Sequence, residues 1–143
     1  MEANYGYESL VSQIGEPVMI VNELPVSRLT KSPKGEWILD FGQNIAGFVR
    51  MKVNAPKGTQ ITLEHCEILD KQGNFFNNIQ GAGGVGKGVD QKEVYVCDGT
   101  SATYEPHFTY HGFRYVRVTG IEPKAEEFTA CVVSNKKGKS RYF

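Results

Sequence analysis

Hydrophobic and polar residues alternate along most of this chain. In "FVRMKV", Val49, Met51 and Val53 fall on one face and Arg50 and Lys52 on the other. "TQITLEH" sets Ile61 and Leu63 against Thr62 and Glu64, and "FRYVRVTG" sets Val116 and Val118 against Tyr115 and Arg117. "EFTACVV" places Phe128, Ala130 and Val132 opposite Thr129 and Cys131. "WILDF" puts Trp37, Leu39 and Phe41 on one side and Ile38 and Asp40 on the other, before "GQNIAG" interrupts the run and it resumes at Phe48. A period of two with one apolar face is the pattern of antiparallel strands laid on a core. Turn-forming sequences separate the runs. "APKG" holds Pro56 second and Gly58 fourth, as in a type I turn; "LDKQGN" and "CDGT" follow, then a break at Gly120 and Pro123. No long run has helical spacing, and no internal repeat or interdomain linker stands out. The expected fold is all-β: a single antiparallel β-sandwich, jelly-roll-like.

The length, 143 residues, suits one domain with a core that needs no staples. Lys+Arg and Asp+Glu are both 16, so the chain has no excess positive charge. That argues against a general nucleic-acid binder, whose affinity rests on such an excess. The basic cluster Lys136, Lys137, Lys139 and Arg141 reads as a solvated tail. Cys66, Cys97 and Cys131 are an odd, sparse set without C-x-x-C spacing, so they are expected as small buried hydrophobes. Nothing resembles a signal peptide or a membrane span, and no membrane partner is expected.

Candidate chemistry changes this picture little. "GAGGVGKG", Gly81–Gly88, has nearly the spacing of a phosphate-binding loop, but such a loop needs a buried strand before it and a helix after it. Here polar "NFFNNIQ" precedes it, Gly88 stands where the magnesium-binding hydroxyl belongs, and no strand–turn–helix unit surrounds it. It reads as a long loop between strands. Glu64 and Glu67 have odd separation and point to opposite faces of a strand, so they form no local acid pair for glycoside chemistry. His65, His107 and His111 lack the short convergent spacing of metal ligands, and no metal site is expected. In "EPHFTYHGFRYVRVTG" the aromatics suit a sandwich core, Arg114 is expected to fork onto a carboxylate such as Asp40 or Glu64, and Gly112 to mark a bend where a side chain would clash. Gln43 and Asn44 are amides suited to tying down a loop, or to contacting a sugar.

Three segments in order, "DFGQNIAGFVRMKV", "GTQITLEHCEILDKQGN" and "YEPHFTYHGFRYVRVTG", resemble the β-sandwich domain, described as concanavalin-like, that precedes the catalytic barrel in bacterial α-L-rhamnosidases. The resemblance runs from about residue 17 to 133. It implies a parent enzyme, a glycosidase that hydrolyses terminal α-L-rhamnosides with inversion, using acids on a separate (α/α)₆ barrel. It implies no catalytic residue, no cofactor and no metal in this chain, which lacks the motif of the calcium-dependent rhamnose-binding module of some relatives. Residues 134–143 then begin the connection toward the barrel, and the chain resembles an excised accessory domain whose partners are that barrel and neighbouring β-domains. Family members carry a shorter, Ala- and Asp-containing stretch in place of "NIQGAGGVGKGVDQ". The alternative is a carbohydrate-binding module for rhamnose or pectic oligosaccharides, with Gln43, Asn44, His111 and Arg114 as the sugar contacts.

Overall fold

The computed structural model describes residues 11–12, 14–77 and 91–135. The alternating runs become eight antiparallel strands. In chain order they are β1 (Val18–Pro25), β2 (Arg28–Lys31), β3 (Trp37–Val53), β4 (Gln60–Cys66), β5 (Lys92–Val96), β6 (Ala102–Tyr104), β7 (His111–Thr119) and β8 (Phe128–Asn135). Among the described residues the helical content is one 3-10 turn, Ala125–Glu127.

Hydrogen bonds link the strands in the order β1-β8-β3-β7-β4-β5, with β2 and β6 also on β3. The organising element is β3, 17 residues long. Its first part lies between β2 and β7, its last part between β8 and β6. One strand therefore serves both halves, and the sheet curls into an all-β sandwich around a single core. Leu39, Phe41, Ile45, Val49, Met51 and Val53 of β3 line that core, against Ile61 and Leu63, Phe113, Val116 and Val118, and Phe128 and Ala130.

"GQNIAG" does not end the strand. Asp40 pairs with Tyr115 and Ile45 with Phe113, so four residues of β3 stand opposite Arg114 alone. This is a bulge larger than the common two-against-one kind. Gly42 takes φ +83°, and its N–H donates to Asp40 Oδ1 at 2.7 Å, closing the bulge. The four-residue step from Phe41 to Ile45 keeps odd-numbered side chains inward on both sides of it.

The turn at "APKG" is shifted one residue from the expected register. Thr59 N–H donates to the Pro56 carbonyl, which makes Pro56 the first residue and Gly58, at φ +87°, the third. A left-handed third position belongs to type II, not type I. Gly112 also departs from expectation: a methyl group there would meet only Glu67 Oε1, at 3.6 Å. The crowded glycine is Gly47, where a Cβ would lie 2.1 Å from the Cys131 carbonyl oxygen.

Alternation places Ile38 and Cys131 outside, yet both are buried. Near Ile38 the segment after β4 folds back and closes at the bridge Leu69–Phe75. Phe75 N–H donates to Glu36 (3.0 Å) and Lys34 N–H to Asn74 Oδ1 (3.1 Å). Beside Cys131, Arg50 crosses the sheet to Glu23 and Glu105. All three cysteines are free and buried, as their apolar settings imply. The Gly81–Gly88 stretch and the basic cluster Lys136–Arg141 lie outside the described residues.

Candidate functional site

The four residues singled out as sugar contacts do not converge. Gln43 and Asn44 sit exposed in the β3 bulge, and Asn44 Nδ2 donates to Glu67 Oε1 at 3.3 Å. Arg114 forks onto Asp40, Nε to Oδ1 at 2.9 Å and Nη2 to Oδ2 at 3.0 Å. Arg114 therefore braces the bulge. The fork holds the Asp40 carboxyl below the usual carboxylate range, against the opposing pull of burial. His111 turns the other way, into the protein.

Glu64 and Glu67, weighed for acid–base work, are also engaged, as are Glu36 and Asp70. Arg117 Nε and Nη2 reach Glu64 Oε2 at 2.9 and 2.6 Å, and its Nη1 reaches Glu36 Oε1 at 2.6 Å. Asp70 accepts from the Asn74 side-chain amide and from the Gln72 and Asn74 N–H groups.

At one end of the core, three strands bring His65 (β4), Glu93 (β5) and His111 (β7) together. His111 Nε2 lies 3.0 Å and His65 Nε2 3.9 Å from Glu93 Oε1, and one ligand atom from each residue falls within 4.8 Å of the others. The imidazoles stack with centroids 4.3 Å apart, and His65 meets the Phe113 ring edge-on. Burial, and then the neighbouring His111, push the His65 pKa down to about 3. This trio is the group among the described residues with donors suited to a metal ion.

Sequence spacing missed it because the residues are far apart in the chain. The signal was parity: His65 continues the inward positions Ile61 and Leu63. In β5 the pattern is inverted. Glu93, paired with Leu63, is buried, while Val94 and Val96 are exposed.

The third feature is an apolar surface. β1 is an edge strand whose Val18, Met19, Ile20 and Val21 are all exposed. Val18 and Ile20, with Phe48, Val133, Pro106, Phe108, Thr109 and Tyr110, line an open groove of about 580 Å³. Phe108 is fully exposed and has φ +62°, a conformation that strains a bulky residue. Apolar surface of this extent on an edge strand marks a contact face.

Residues 30–134 match the family described as the bacterial alpha-L-rhamnosidase concanavalin-like domain. The chain is 40% identical over 119 residues to an alpha-L-rhamnosidase of Streptomyces avermitilis, covering 82% of this chain and 11% of the relative. It superposes on the structure of the Streptomyces avermitilis alpha-L-rhamnosidase complexed with L-rhamnose with TM-score 0.78 and 35% identity, over 89% of this chain and 12% of that one. The native enzyme from Aspergillus terreus gives TM-score 0.78 and 32% identity, over 94% and 15%. This chain thus spans about a tenth of the length of the curated relatives it matches.

Proposed function

The chain belongs to the bacterial alpha-L-rhamnosidase concanavalin-like domain family, and on that premise we propose that it is a single non-catalytic β-sandwich domain of an α-L-rhamnosidase. Its role is structural: it packs against other domains of the same enzyme and positions them. The enzyme as a whole hydrolyses terminal α-L-rhamnosides, with its catalytic acids on a separate barrel. The observation that carries this reading is the apolar groove of β1 and Phe108, which a lone domain leaves in water at a cost of roughly 25 cal/mol per Å² of apolar area. The engagement of Glu36, Glu64, Asp40 and Asp70 by Arg117, Arg114 and Asn74 agrees with it, since these carboxylates hold the fold together.

The test is a chimera in which residues 17–133 replace the matching segment of the Streptomyces avermitilis relative. It is expected to fold and to hydrolyse an aryl α-L-rhamnoside, while the 143-residue chain alone does not. Charging the groove in the chimera (Ile20→Asp with Tyr110→Asp) is expected to lower its thermal midpoint and its turnover. Turnover by the isolated chain, or indifference of the chimera to the charged groove, would overturn the proposal. Amide NMR shifts of the isolated chain on addition of rhamnose or pectic oligosaccharides, centred on Gln43 and Asn44, would instead establish a carbohydrate-binding module.

A further inference from the structure

We propose that His65, His111 and Glu93 form a binding site for a divalent transition-metal ion of the zinc type. The inference stands apart from the domain's structural role, and it reverses the expectation from histidine spacing.

The argument begins with protons. His65 Nδ1 lies 3.1 Å from the Gln91 carbonyl oxygen, which can only accept. His65 therefore carries its proton on Nδ1, and Nε2 presents a lone pair. Glu93 Oε1, also an electron-pair donor, lies 3.9 Å from it, beyond hydrogen-bond distance. His65 Nε2 and Glu93 Oε2 are buried without a hydrogen-bond partner, and His111 Nε2 and Glu93 Oε1, 3.0 Å apart, have none besides each other. Burying one such atom is costly, and a cluster of them on three neighbouring side chains is a concentration that ordinary core packing avoids.

A proton resolves this only in part. A hydrogen on His111 Nε2 would satisfy Glu93 Oε1. It would leave His65 Nε2 and the second Glu93 oxygen unpaired. A divalent cation accepts from all of them at once and neutralises the carboxylate. The donor set fits the borderline acids: two imidazole nitrogens and one carboxylate. Tetrahedral zinc with bonds of 2.0–2.2 Å holds its donors about 3.4 Å apart; the two His–Glu93 separations are 3.0 and 3.9 Å, and all three donors lie within 4.8 Å of one another. The Nδ1–H to carbonyl bond is the outer contact that orients a metal-binding imidazole. The ion would clip edge strand β5 to β7 across β4.

Titrating zinc into the chelator-treated 143-residue chain is expected to give one site per chain by calorimetry and to raise the thermal midpoint by on the order of 10 °C at a hundredfold excess over Kd. Cobalt in place of zinc is expected to give the intense visible bands of a tetrahedral ion. Glu93→Gln and His111→Gln, isosteric enough to keep the fold by circular dichroism, are expected to weaken zinc binding at least tenfold. Absence of heat and of cobalt bands in the unaltered chain overturns the proposal, whatever the variants do. Binding that is undiminished in both variants overturns it too, because the ion then sits elsewhere.

Discussion

The Arg117 guanidinium lies over the ring of Phe75, its central carbon 4.2 Å from the ring centroid, while its nitrogens reach Glu64 and Glu36. One side chain thus joins β7 to β4, to the residue before β3, and to the segment that folds back over the sheet. Arg117→Met is expected to destabilise the chain by about 2–3 kcal/mol, because it removes the ring contact and leaves Glu36 and Glu64 half-buried without their cation. Arg117→Lys keeps a charge but loses the fork, and about half that loss is expected. Urea denaturation measures both; equal losses would mean that geometry contributes nothing beyond charge.

Gly47 and Gly112 form a controlled pair on adjacent strands. A Cβ on Gly47 would lie 2.1 Å from the Cys131 carbonyl oxygen and 3.2 Å from the Val132 Cα, and backbone cannot step aside as a side chain can. A Cβ on Gly112 meets one side-chain oxygen at ordinary contact distance. Gly47→Ala is therefore expected to cost about 3 kcal/mol or more, or to prevent folding. Gly112→Ala is expected within about 0.5 kcal/mol of the unaltered chain. Comparable midpoints for the two in thermal melts would show that β8 can retreat from β3.

The fold was legible because its strands obey the simple alternation. Val49, Met51, Val53, Ile61, Leu63, Val116 and Val118 are all inward, as their parity implies. The Arg114–Asp40 fork was legible too, since a lone Arg among aromatics needs a carboxylate within the sheet. What failed was inference about faces covered by something non-local. Ile38 reads as outward yet is buried, and the Phe75 segment returns over the sheet at nearby Glu36. The His65–Glu93–His111 group was invisible to spacing, because strand pairing rather than chain proximity assembles it. Gly112 departs from expectation for a related reason: a glycine's crowding depends on which backbone crosses it, and the register of β8 on β3 brings the Cys131 carbonyl onto Gly47 while Gly112 on β7 meets only the Glu67 side chain.

Asp40 supplies a pH signature. Its carboxyl is held below the usual range, chiefly by the Arg114 fork, with burial opposing and the Gly42 N–H assisting. The folded state therefore releases this proton more readily than the unfolded chain. The resulting stabilisation is full above the ordinary carboxylate pKa, about 4, and disappears as pH falls through the lower folded value. Asp40→Asn is expected to lower the denaturation midpoint at pH 7, and the gap is expected to close as pH falls below about 4 and through the lower folded value. A gap that does not change with pH would assign the loss to packing of the bulge rather than to charge.

Phe108 separates what the domain needs alone from what it needs in an assembly. Fully exposed, it touches little of its own chain beyond an edge-on approach to His107 with centroids 6.0 Å apart. Its φ of +62° costs a bulky side chain about 1–2 kcal/mol, which asparagine largely avoids. Phe108→Asn is therefore expected to leave the isolated chain unchanged or to stabilise it by up to about 1 kcal/mol. In the Streptomyces avermitilis chimera the same change is expected to lower the thermal midpoint, because the ring that is idle in the lone domain fills a neighbour's surface there. Parallel melts of the two proteins make the comparison. If the isolated chain loses more than about 1 kcal/mol, Phe108 supports its own domain. If the chimera does not respond, the β1–Phe108 groove is not where the domains meet.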